Sequence, residues 1–70
     1  MKYRDFIRIL LDNGFDLHRH TGGHRHYKGF IDGKTRLVTA SGNDNDDVMA
    51  KNFSSMIRQS ALPRDLFPRK

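Results

Sequence analysis

Cysteine is absent from the 70-residue chain, which excludes a disulfide framework and any zinc site built on thiolates. No run approaches the roughly 20 apolar residues of a membrane span. The opening Met1-Lys2-Tyr3-Arg4-Asp5 lacks an apolar core of about 7–15 residues, the mark of a secretion signal. The expectation is a soluble, cytoplasmic protein without membrane contact. Acidic residues are in deficit: eight stand against thirteen Lys and Arg, a formal net charge of +5. On so short a chain this excess favours a polyanionic partner, nucleic acid first and an acidic protein second, although charge also serves solubility alone. Repeats, low-complexity tracts and linkers are missing too, and 70 residues leave no room for a second core. One domain over residues 1–70, with 63–70 as its tail, is expected.

What is present begins with a helical period. Tyr3, Phe6, Ile7, Leu10 and Leu11 form one apolar stripe that predicts a helix over 3–13. Asn13-Gly14 ends it, since glycine takes the left-handed conformation cheaply, and Phe15 can fold back on the last turn. Residues 15–20, 24–30 and 35–40 read as strands. Thr21-Gly22-Gly23 is then a three-residue hairpin loop, and Asp32-Gly33 marks a second tight turn. A polar run from Ser41 to Asp47 leads to a second helix capped by Asn45 or by Asn52. Its apolar side is Met49, Phe53, Met56 and Ile57, and it ends near Ala61 before Pro63. Asp44, Asp46 and Asp47 lack the spacing of a calcium loop and read as the polar approach to that helix. Leu66-Phe67 docks the tail, and the last residues fray. The order α-β-β-β-α predicts an α+β fold, with two helices on one face of a three-stranded antiparallel sheet. The other face is left to water or to a ligand.

All four histidines lie in Leu17-His18-Arg19-His20-Thr21-Gly22-Gly23-His24-Arg25-His26-Tyr27-Lys28. Alternate residues of a strand share a face. A loop closing symmetrically on three residues would set His20 opposite His24 and His18 opposite His26, all on one face, with Leu17 and Tyr27 against the helices. A slip of one residue destroys this arrangement. Three readings of the cluster stand open: proton transfer near neutral pH, a metal site of two His-x-His pairs, which matches no specific zinc spacing, and exposed strand histidines without a role. His24 stands out because Gly22 and Gly23 precede it. Glycines let the backbone approach a ligand, and their N–H groups can donate to a phosphate oxygen; the alternative is that they serve the turn alone. Arg25, Lys28, Lys34 and Arg36 add positive charge nearby. A proton-transfer group beside phosphate donors suits RNA cleavage, in which the 2′-hydroxyl is the nucleophile and no metal or cofactor is required. A nucleic-acid-binding module without catalysis, and a basic protein serving only an acidic partner, are the competing classes.

From about residue 2 to 67 the chain resembles the HicA toxins of toxin–antitoxin pairs. The resemblance rests on the short helix ending in Asn13-Gly14-Phe15, on Gly22-Gly23-His24 followed by Arg25-His26-Tyr27, and on Asp32-Gly33 and Val38-Thr39. It continues through the helix Phe53-Ser54-Ser55-Met56-Ile57-Arg58-Gln59 and the tail Leu62-Pro63-Arg64-Asp65-Leu66-Phe67. It implies a fold like that of double-stranded-RNA-binding domains and a type II toxin that cleaves messenger RNA as a metal-independent endoribonuclease. It also implies a HicB-type antitoxin that covers the active face. The family's catalytic histidine maps onto His24, with His26 the second candidate. Gly22, Gly23, Arg25, His26, Lys28 and Arg36 are the expected RNA- and phosphate-binding residues. Many relatives carry Pro and His after the third strand, where this chain has Ala40-Ser41-Gly42-Asn43; Asn43 can hydrogen-bond but brings no charge. Some relatives place their histidine one position later, where this chain has Arg25.

Overall fold

The N-terminal stripe forms helix α1, Tyr3–Asp12, and buries Tyr3, Phe6, Ile7 and Leu10. The computed structural model describes residues 1–68; the expected fraying of the last two residues lies outside them. Leu11, counted in the stripe, is instead 49% exposed, because it sits at the stripe's margin. At the far end Gly14 takes φ 91°, and the Phe15 N–H donates to the Leu10 carbonyl at 3.0 Å. That is the 6→1 bond of a Schellman ending. Phe15 thereby turns inward and is buried. Its ring lies against Gly29, where a Cβ would come within 2.8 Å of it.

Three strands follow: β1, Asp16–Thr21; β2, His24–Ile31; and β3, Lys34–Ala40. They form an antiparallel sheet in the order β1-β2-β3. Asp32 and Gly33, at φ 53° and 78°, give the second hairpin its two left-handed positions, the requirement of a type I′ turn. Tyr27, Val38 and Ala40 are buried on the helix-facing side, and the register pairs Tyr27 with Val38. The α-β-β-β-α order and the antiparallel sheet agree with the fold expected from the sequence.

The second helix, α2, spans Ala50–Ser60 and buries Phe53, Met56, Ile57 and Ser60. Neither Asn45 nor Asn52 begins it. Met49 occupies the N-cap in extended conformation and, counted as apolar-side in the sequence, is 68% exposed. Val48 takes the inward place instead. Asp44, Asp46 and Asp47 do more than approach α2: their segment closes the start of α1. The Tyr3 and Arg4 N–H groups donate to the Asp46 and Asp44 carbonyls at 2.9 and 3.1 Å, and the Val48 N–H donates to the Met1 carbonyl at 2.9 Å. Carbonyls of a crossing strand thus satisfy helix-start donors that would otherwise go unpaired. After Ala61 and Pro63 a single 3-10 turn, Arg64–Leu66, seats Phe67 in the core. Phe67 stacks on Phe6 at 4.8 Å between centroids, and Phe6 meets Phe53 edge-on. Leu66, its expected partner in docking, stays 41% exposed.

Candidate nucleic-acid interface

The site begins with the first hairpin. Thr21 pairs with His24, so the loop is the two residues Gly22-Gly23, not three. Gly22 has φ 57° and Gly23 has no positive φ, the pattern of a type II′ turn. A Cβ on either glycine would meet nothing within 4 Å. Among the described residues neither glycine N–H donates a hydrogen bond. The turn therefore presents two unused donors to solvent, directly beside His24.

Pairing then runs His20 with Arg25 and Arg19 with His26, and resumes at Leu17 with Tyr27. His18 is an extra residue, a β-bulge. The expected four-histidine face is accordingly corrected. His24 and His26 share the face away from the helices, and His18 reaches it from the bulge, lining a small hollow with Arg19, His26 and Leu37. His20 pairs with Arg25 and lies on the helix-facing side. The reason is the shorter loop: moving the closing pair from His20–His24 to Thr21–His24 shifts the pairing by one residue, and one residue reverses a face. Leu17 does fall on the Tyr27 side, but beyond the helices' cover it is 51% exposed.

His24 is exposed and has no side-chain hydrogen bond among the described residues. His26 is half-buried, with Nδ1 hydrogen-bonded to Thr39 Oγ1 at 3.0 Å, which fixes its ring. Lys28, exposed on the same face, follows two positions on.

A family model described as HicA toxin of bacterial toxin-antitoxin matches residues 3–62. The chain belongs to the HicA toxin family. It is thus the toxin of a toxin–antitoxin pair and has an antitoxin as partner. Comparison with curated proteins and with solved structures finds no match.

In this HicA chain the matched span contains both helices and the sheet and stops before Phe67. The expected cationic residues divide between the two faces. Lys28 lies with His24 and His26. Arg25 does not: it faces the other side, where Nη1 donates to Asp44 Oδ1 at 2.7 Å and Nη2 to the Gly42 carbonyl at 3.1 Å. It ties β2 to the segment that caps α1. Arg36 pairs with Gly29, also on the helix-facing side, and its Nε donates to the Ile31 carbonyl at 3.4 Å. Arg19 takes their place on the open face opposite His26. Strict alternation from Leu17 hides it, because nothing in the residues announces the bulge. Asn43 lines a cavity of about 550 Å³ with His20, Gly22, Gly23, Arg25 and Asp44, so the glycine turn also borders the side that carries His20 and Arg25. Among the described residues no three His or Asp side chains converge closely enough to hold a metal ion. Among the same residues no helix is long and apolar enough to cross a membrane.

Proposed function

We propose that this HicA chain is an endoribonuclease that cleaves messenger RNA on the open face of its sheet, with His24 exchanging the reacting proton. One observation carries the reading: an exposed histidine follows directly on a turn whose two glycine N–H groups have no acceptor among the described residues. Those donors suit a phosphate oxygen that gains charge in the transition state. His24 exchanges a proton with the attacking 2′-hydroxyl or with the leaving 5′-oxygen. The O2′–P bond forms as the P–O5′ bond breaks, leaving a 2′,3′-cyclic phosphate and a free 5′-hydroxyl. Lys28 and Arg19 hold neighbouring phosphates, and His26, braced by Thr39, offers a fixed donor beside them. Arg25 supports the turn from behind. The nucleophile belongs to the RNA, so the step calls on no metal. Single strands suit it, because in-line attack needs a backbone free to rotate. We further propose a cytoplasmic setting and a HicB-type antitoxin, acidic and seated over the same face.

Purified wild type and His24→Ala are compared on end-labelled single-stranded RNA with EDTA present. Wild type is expected to cut and leave cyclic phosphate ends, while the variant stays folded and does not cut. A variant that cuts at the parent rate removes His24 from the chemistry. A wild type that shifts RNA without cutting it makes the chain a binding module.

A further inference from the structure

Phe30 is 70% exposed, the most exposed of the large apolar side chains among the described residues. It stands on β2 at the same alternation as His24, His26 and Lys28, so all four share the open face. Opposite it is Thr35. β1 begins near this point, at Asp16, and the ring borders a cleft of about 360 Å³ with Asp16, Lys28, Thr35 and Gly14. Asp16 and Lys28 are cross-strand partners but form no ion pair among the described residues.

Phe30 adds nothing to the core, which the helices fill from the other side. An apolar ring left in water on a face that also carries exposed Leu37 among polar and basic side chains calls for an occupant that is flat, apolar on its faces, polar at its edge and joined to negative charge. A nucleobase on its phosphodiester strand meets each condition: its face stacks on the ring, an exocyclic amino group can donate to the Asp16 carboxylate, and its phosphate can meet Lys28. Charge complementarity favours the same occupant, since Arg19, Lys28 and three histidines share the face with Asp16. We infer that Phe30 is the platform of a base-stacking subsite for the single-stranded RNA cleaved at His24. Six residue steps of strand separate the two, about 20 Å, so the stacked base lies a few nucleotides from the scissile phosphate.

This inference rests on the ribonuclease reading, and the test separates the two. Cleavage by wild type, Phe30→Leu and Phe30→Tyr is measured on a dinucleotide and on an oligomer of about ten nucleotides, a length within the span of single-strand grooves. Wild type is expected to prefer the oligomer. Phe30→Leu, equally apolar but without a π face, should lose about 5- to 150-fold of that preference, the range of base–aromatic stacking. The loss should appear in KM, with kcat on the oligomer retained, and Phe30→Tyr should restore the preference. If Phe30→Leu keeps the parent preference, the subsite is overturned while the ribonuclease reading stands. If Phe30→Leu cuts like wild type but escapes neutralisation by its antitoxin, the ring belongs to a protein interface and the inference falls. A wild type inactive on both substrates removes the ribonuclease reading, and the subsite with it.

Discussion

Glycine at three positions of this chain does three different things, and replacement by alanine separates them. Gly29 lies under Phe15, and a Cβ there would come 2.8 Å from the ring; overpacking of this kind costs about 1–3 kcal/mol. Gly22 has room for a Cβ but adopts φ 57°, a conformation that costs an ordinary residue about 1–2 kcal/mol. Gly23 has room and no positive φ, so the fold does not require glycine there. Alanine at 23 even restricts the unfolded chain, a gain of about 0.4–1 kcal/mol. Gly23→Ala should therefore melt at or above the parent temperature, whereas Gly29→Ala melts below it. Yet a methyl group beside two phosphate donors obstructs the close approach proposed for RNA, so Gly23→Ala should cleave RNA more slowly despite its stability. Melting curves and single-turnover rates on the same preparations decide it: undiminished cleavage by Gly23→Ala would show that the turn's N–H groups do not hold the phosphate.

At the scale of elements, what could be read from the residues was whatever is local. The stripe Tyr3, Phe6, Ile7 and Leu10 and the Asn13-Gly14 ending mark α1, and Asp32-Gly33 marks its hairpin, because period, cap and turn each act within a few residues. The start of α2 was hidden, since no side chain caps it. The function of the Ser41–Asp47 run was hidden as well: its carbonyls close α1, about forty residues earlier in the chain. The candidate site was half legible. His24 and its glycines are contiguous, but which cations join them depends on a register that a bulge resets. That bulge makes a testable claim. Leu17–Tyr27 and Arg19–His26 are successive pairs of the ladder with His18 inserted between them. Deleting His18 should leave every remaining pair in place and straighten β1. The expected product is folded, with its melting temperature within a few degrees of the parent and with cross-strand nuclear Overhauser contacts from Arg19 to His26 retained. If instead the deletion moves His20 onto the open face, the pairing does not follow this register.

Across the whole molecule, the formal +5 is unevenly placed. The acidic run at 44–47 carries both ion pairs found among the described residues, Asp44 with Arg25 at 2.7 Å and Asp47 with Lys2 at 3.6 Å. Arg25 and Lys2 are thus spent internally, while Lys28 and Arg19 on the open face have no carboxylate partner among the described residues. Two accounts of RNA attraction then differ. If the net charge acts as a diffuse field, any exposed lysine matters equally. If phosphates sit on the open face, position matters, since each neutralised phosphate adds about 0.7 to the slope of log affinity against log salt for a single strand. Lys28→Gln and Lys51→Gln remove the same charge, one from β2 and one from the exposed side of α2. In a His24→Ala background, so that RNA survives titration, Lys28→Gln should flatten the slope by about 0.7, and Lys51→Gln should leave it close to the parent value. Equal slopes for the two variants would mean that the basic character steers RNA without placing it, and the open face would lose its claim as the track along which the strand lies.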